Sequence, residues 1–274
     1  MRLSQIAINS VTTKHAGLEE ALDAYAGAGF THVEFVLPLV KDWLAAGHTV
    51  ADVRAQLAKR GLRSIGGFQT HVVAFGDADA RSANHAIHLE NARLIHELGG
   101  GTLVVGTDGP PQASVDALSE LADVLRGLVG QMEGLNVSMA IEFNWSPLVK
   151  SFHSAVCVAE RVNHKQFGVL WDPAHYYTTV TKLDDLKPEW VRWIKHVHID
   201  DMRDKPGELS NCNADRVLPG QGVIDLPDMI GRLERGGYNG FYSIELFNDD
   251  IWRLPADEAA RQCYQSMRGL CADL

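Results

Sequence analysis

Residues 167–178 read FGVLWDPAHYYT: a short run of apolar and small residues, Phe167 to Trp171, ends in Asp172, and His175 follows three positions later. A near-continuous apolar run of this length suits a strand covered by helices on both faces, as in a parallel sheet. Closing it with a carboxylate and an imidazole is costly unless partners lie close by. The meaning of the pair therefore depends on what the other strand ends supply.

Seven further runs have the same character. They are LSQIAINS (3–10), THVEFVL (31–37), RSIGGFQT (63–70), TLVVG (102–106), NVSMAIEF (136–143), IKHVHID (194–200) and GFYSIELF (240–247). Helical patterns fall between them. GLEEALDAYAGAG and TVADVRAQLAKRG each end in glycine, and SANHAIHLENARLIHELGG and SVDALSELADVLRGLVGQM carry apolar residues three and four apart. Ser114 is expected to cap the last of these, with Asp116 and Glu120 near the positive end of the helix dipole. LPDMIGRLERGG and LPADEAARQCYQSMRGL are entered through prolines, and TTVTKLDDLKPEWVRW is the least regular crossover.

Eight strands alternating with helices in 274 residues predict a (β/α)8 TIM barrel, α/β in class, as one domain over residues 1–274. The rival, a doubly wound open sheet, would normally carry a glycine-rich phosphate turn. Neither GxGxxG nor GxxxxGK[ST] occurs.

Composition narrows the function. A formal charge of −10 tilts against a generic polyanion binder, so no nucleic acid partner is expected. The four cysteines form no CxxC pair, as expected of free thiols in a reducing compartment. The first residues lack a long apolar segment, and no run of about 18 apolar residues occurs, so a soluble, cytoplasmic chain with no membrane partner is expected.

In a barrel, the C-terminal strand ends converge on one pocket. The fifth strand brings Glu142, the sixth Asp172 and then His175, the seventh His196 and His198 on one face, and the eighth Glu245. A lone glutamate near a strand end is ordinarily a surface or capping group, and an Asp before Pro can simply shape a turn. Four such coincidences on neighbouring strands are harder to dismiss, and this oxygen and nitrogen chemistry suits one divalent ion: Mn²⁺, Mg²⁺, Co²⁺ or Zn²⁺.

The pattern IEF…WDPAH…HVHIDD…LPGQGVID…SIELFN resembles the xylose-isomerase-like TIM barrels over essentially the whole chain. That superfamily holds sugar isomerases, ketose 3-epimerases, inosose dehydratases and the endonuclease IV group. DRVLPGQGVIDL with SIELFNDDIWRLPADEAA is most similar to the inosose isomerases. The resemblance implies Glu142, Asp172, His198 and Glu245 as ligands of one metal, with His175 and Arg216 facing the substrate. It also implies that Glu142 and Glu245 move the proton between adjacent carbons of a keto-polyol or keto-sugar, through a metal-stabilised enediolate. Coordination lowers carboxylate basicity, so His71 and Glu34 are alternative bases or substrate contacts, and Glu34 is equally read as a buried hydrogen-bonding residue. His196 is expected deeper in the barrel as a satisfied histidine.

Two departures from the family matter. The epimerases place a sugar-gripping glutamate six residues after the first metal glutamate, where this chain has Leu148. Endonuclease IV-like enzymes need a DxH motif, and ADRV offers Asp215, Arg216 and Val217 instead. Trp145, Trp171, Trp252 and Tyr176, near strand ends, are candidates for an apolar substrate wall as well as for core packing. The loop MRDKPGELSNCNADRV is read as a lid or a subunit contact. Three functions are therefore open: isomerase or epimerase, lyase on the same intermediate, and a non-catalytic polyol-binding barrel. A homo-oligomer is compatible with each.

Overall fold

Alternation of side chains along eight short strands builds the scaffold. In the computed structural model, which describes residues 1–112, 114–144, 146–180 and 186–272, the barrel strands are β1 (Ile6–Asn9), β2 (His32–Val36), β3 (Arg63–Phe68), β4 (Thr102–Val105), β5 (Ser138–Glu142), β6 (Phe167–Trp171), β7 (Ile194–Ile199) and β10 (Tyr242–Ile244). All pairings are parallel, and β1 closes the barrel between β2 and β10. A two-residue antiparallel ribbon, β8 (Asp201–Met202) with β9 (Arg216–Val217), follows β7.

The helices are α1 (Leu18–Ala28), α2 (Leu37–Ala45), α3 (Val50–Lys59), α4 (Ala78–Glu97), α5 (Ala117–Gly130), α6 (Phe152–Val162), α7 (Pro173–Thr178), α8 (Pro188–Val191), α9 (Leu226–Arg235), α10 (Asp249–Trp252) and α11 (Ala256–Ala272). Helix α6 has no counterpart in the sequence reading. It starts at Ser151, whose side chain accepts from Ser154 N. Ser114 is not the cap of α5: that position is Asp116, whose backbone N–H donates to Ser114 Oγ at 3.1 Å in a turn just ahead of the helix. Residues 181–185 of the irregular crossover, and Trp145, lie outside the described residues.

Ile8, Phe35, Leu103, Ile141, Trp171 and Val197 point outward and join the helices in one continuous core. Their neighbours point inward, where Val104, Ala140 and Leu170 make a small cluster with Phe68. Inward positions nearer the strand ends become polar. A bulge then decides which β7 residues face in. Val169 pairs with Ile194 but Leu170 with His196, so Lys195 is the extra residue and the side-chain parity flips. Ile194 joins the outer core while His196 and His198 face the lumen. Gly168 permits this crossing, because a Cβ there would stand 2.1 Å from the Trp193 carbonyl oxygen.

Among the described residues, no helix is long and apolar enough to cross a membrane.

Candidate metal centre

Glu142 ends β5, Asp172 follows β6, His198 lies on β7 and Glu245 follows β10. One ligand atom from each can be chosen so that all lie within 4.8 Å of one another. Donor atoms bound to one cation at about 2.0–2.2 Å stand at most about 4.4 Å apart, so the ring is close to the size that one cation would draw together. Asp172, His198 and Glu245 are buried and Glu142 is half-buried.

Each candidate ligand is oriented by a further group. Asp172 caps α7, its Oδ1 accepting from His175 N at 3.0 Å. Asn144 Nδ2 donates to Glu142 Oε2 at 2.8 Å, and Asn9 Nδ2 donates to Glu245 Oε1 at 3.0 Å. His198 Nδ1 lies 3.1 Å from Glu245 Oε2, while its Nε2 lies 3.1 Å from Glu34 Oε2. His196 Nε2 shares that Glu34 oxygen at 3.0 Å. With Glu34 accepting at Nε2, the ring proton sits there and Nδ1 is left as the ligating atom.

Electrostatics around the centre are dominated by carboxylates. Arg216, fully buried, meets Asp172 Oδ2 at 3.1 Å, Asp200 Oδ2 at 2.8 Å and Glu245 Oε2 at 2.8 Å. Burial pushes Asp172 up, but Arg216 first, then His175 and His198, outweigh it and hold the carboxyl far below its usual range. Burial also dominates at Asp200, where it prevails over Arg216 and leaves the carboxyl well above the ordinary value. Burial opposes the charge on His175, yet Asp172 and Glu142 raise it well above the usual imidazole range. Its Nε2 is 3.2 Å from Glu142 Oε1. Burial works against Glu34 too, and His196 and His198 still keep it well below the carboxylate norm.

The donor set fits a divalent cation. Asp172 Oδ2, which meets Arg216 as an ion pair, and His198 Nδ1 are buried without a hydrogen-bond partner, and both belong to the four-residue ring. Unsatisfied buried groups of this kind are costly unless another ligand engages them. One guanidinium faces the carboxyls of Asp172, Asp200, Glu142 and Glu245, so added positive charge is favourable.

A cavity of about 450 Å³ opens on this ring, lined by Glu142, His175, His198, Arg216 and Glu245 on one side and by Phe68, His71, Val104, Pro147 and Phe247 on the other. Of the sequence candidates, His71 therefore stands on the cavity wall. Glu34 does not: it is fully buried beneath His198, occupied by two imidazoles, so it positions a ligand and is not placed to touch substrate. Arg216 reaches the cavity with its guanidinium already engaged by three carboxylates. Trp171 and Tyr176 pack against each other in the outer core, and Trp252 also lies off this cavity. The aromatic wall is Phe68 and Phe247 instead.

The loop after β7 is fastened down. Arg216 Nε donates to the Cys212 carbonyl at 2.7 Å, Tyr177 Oη to the Lys205 carbonyl at 2.7 Å, and Lys205 pairs with Asp215 at 2.9 Å. Asp201 accepts from the backbone N–H of Met202, Gly220, Gly222 and Ile224 at 2.8–3.0 Å, fixing the LPGQGVID turn. Asn9, Asn144, Asp200 and Asp201 were not singled out in the sequence.

Residues 22–270 match the family described as xylose isomerase-like TIM barrel, and the chain belongs to that family. An inosose isomerase of Bacillus licheniformis is 35% identical over 152 residues, 54% of this chain and 51% of that protein. The inosose isomerase of Bacillus subtilis is 34% identical over 151 residues, with the same coverage. The chain thus matches about half the length of these curated relatives. A 3-dehydroshikimate dehydratase of Pseudomonas aeruginosa is 29% identical over 255 residues, 87% of this chain and 37% of that protein. Among solved structures, the IolI protein with a bound zinc atom superposes with a TM-score of 0.86 at 24% identity, covering 98% of both chains. A D-allulose 3-epimerase from Methylomonas, in complex with D-allulose, gives 0.74 at 15%, covering 97% of this chain and 96% of that one.

Proposed function

We propose that this chain is a divalent-metal-dependent isomerase or epimerase acting on a keto-polyol, an inosose or a keto-sugar. The observation that carries the reading is the ring of Glu142, Asp172, His198 and Glu245 at the mouth of a 450 Å³ cavity. The inosose isomerase relatives give it independent support.

A C–H beside a carbonyl is a weak acid, so the chemistry needs a positioned base and a means of holding the developing charge. When bound, the cation supplies Lewis-acid stabilisation of charge on the carbonyl and neighbouring hydroxyl oxygens. Glu142 and Glu245 come from strands separated in the barrel by β6 and β7, so one can lift the proton from a carbon and the other return it to the adjacent face or carbon. Asn144 and Asn9 fix the two carboxylates in orientation. His175, on the cavity wall with its Nε2 3.2 Å from Glu142 Oε1, is placed to hydrogen-bond a substrate hydroxyl. Phe68, Val104, Pro147 and Phe247 shield the reacting carbons from water.

A second reading keeps the site and changes the outcome. After the same proton abstraction, loss of a β-hydroxyl gives a dehydratase, and the dehydroshikimate dehydratase likeness over 87% of the chain favours this branch.

The test is chelation followed by reloading. Turnover of keto-polyols should vanish with EDTA, return with Mn²⁺, Mg²⁺, Co²⁺ or Zn²⁺, and stay absent in Glu245→Ala. Full activity in the stripped protein or in Glu245→Ala contradicts the proposal. An enone absorbance without an isomeric ketose selects the lyase.

A further inference from the structure

We infer that the reaction cavity continues into a second subsite for another sugar ring, so that the substrate is a two-ring keto-glycoside; this rests on the function proposed above. Asn213 and Phe247 line the 450 Å³ cavity, and the same two residues line an adjoining recess of about 350 Å³ that also contains Arg203, Asp250, Trp252 and Arg253. One six-membered ring seated against the metal carboxylates leaves the second recess unfilled, whereas a ring linked through its hydroxyl passes between Asn213 and Phe247 into it.

The chemistry of the recess selects the second ring. Trp252 is held rigidly: its Nε1 donates to the Val11 carbonyl at 2.9 Å, Lys14 Nζ lies 3.1 Å from its ring centroid, and Phe247 meets it edge-on at 6.1 Å and 78°. An immobilised pair of aromatic rings offers an apolar surface at little entropic cost. The surrounding charges cancel locally. Arg253 pairs with Asp250 at 2.7 Å and Arg203 with the same carboxylate at 3.6 Å, and Asp249 adds a second negative group. Among the residues that line the recess, two guanidiniums face two carboxylates, which leaves no net positive charge to draw in a phosphate or carboxylate. A neutral sugar ring matches both features, with C–H groups against Phe247 and Trp252 and hydroxyls exchanging hydrogen bonds with Asn213, Arg203 and Arg253.

The test measures binding alone, so it does not depend on turnover. Calorimetry on Mg²⁺-loaded protein compares myo-inositol with α-galactosyl-myo-inositol, and glucose with cellobiose. In at least one pair the two-ring ligand should bind tenfold or more tightly. Trp252→Ala and, separately, the exposed Arg253→Ala should reduce that advantage while leaving the one-ring affinity as it is. Two-ring ligands no tighter than their one-ring partners overturn the inference, as does an advantage that survives both substitutions. A failure of the chelation test with this advantage intact would remove the reaction and leave the subsite.

Discussion

Glu34 Oε2 lies 3.0 Å from His196 Nε2 and 3.1 Å from His198 Nε2, so one buried carboxylate at the middle of the barrel sets the tautomer of the histidine that faces the metal ring. Glu34→Gln keeps the shape and removes the charge that orients His198. Metal affinity should fall 10- to 100-fold with the fold retained. Competition against a chromophoric chelator, alongside circular dichroism, measures both, and unchanged affinity would detach Glu34 from the metal centre.

Arg216 is the counter-charge of the site. Arg216→Met leaves Asp172, Asp200 and Glu245 buried without it, which should cost about 3–5 kcal/mol in urea unfolding. A divalent cation should recover part of that loss, because binding to the folded form alone stabilises it by mass action. The expected signature is a larger metal-induced rise in Tm in the variant than in the wild type; an equal or smaller rise counts against the charge argument.

His88 carries a separate, pH-dependent part of stability. Burial pushes its imidazole down to about 4 from 6.5, while Nε2 supports the His71 carbonyl at 3.2 Å. A depressed imidazole stays neutral in the folded chain while the unfolded chain protonates. Nothing is lost above pH 6.5, and stability falls as pH drops from 6.5 towards 4. At about 1.4 kcal/mol per pH unit the loss is on the order of 3 kcal/mol. His88→Gln, which can still donate to His71, should show a stability difference between pH 7 and pH 4.5 smaller by roughly 2 kcal/mol. An unaltered difference would mean the group is not buried neutral.

Asp201 holds the turn that follows the ribbon. Asp201→Ala strands four backbone N–H donors and should cost on the order of 2–4 kcal/mol. Hydrogen exchange should accelerate at Gly220, Gly222 and Ile224 before it does in β5 or β6. Uniform acceleration would show a global effect and no local anchoring.

The barrel, and the polar residues gathered at its strand ends, were legible because they rest on local pattern: apolar runs of strand length, and carboxylates and imidazoles at the ends of those runs. Glu34 stayed open between two roles because a carboxylate on the inner face of β2 looks the same in sequence whether it meets substrate or a histidine from β7, on the other side of the lumen. Trp171 drops out of the substrate wall on parity. Phe167, Val169 and Trp171 alternate with Leu170 and Asp172, so placing Asp172 in the site already sends Trp171 out to the helices. Asn9 and Asn144 reach the site through hydrogen bonds to Glu245 and Glu142, which no spacing encodes. Asp200 and Asp201 did carry a signal, a pair of acids directly after HVHI, and their opposite roles come from burial beside Arg216 and from the turn that folds back on Asp201.

The most direct measurement is proton NMR of 2-keto-myo-inositol in D₂O with Mg²⁺- or Zn²⁺-loaded protein. Deuterium should enter at the carbon beside the carbonyl, with an isomeric ketose or a dehydrated product accumulating, and Glu142→Gln and Glu245→Gln should slow entry by about 10²-fold or more. Absence of exchange in the loaded wild type, on this ketone and on keto-glycosides alike, would contradict proton transfer at this site.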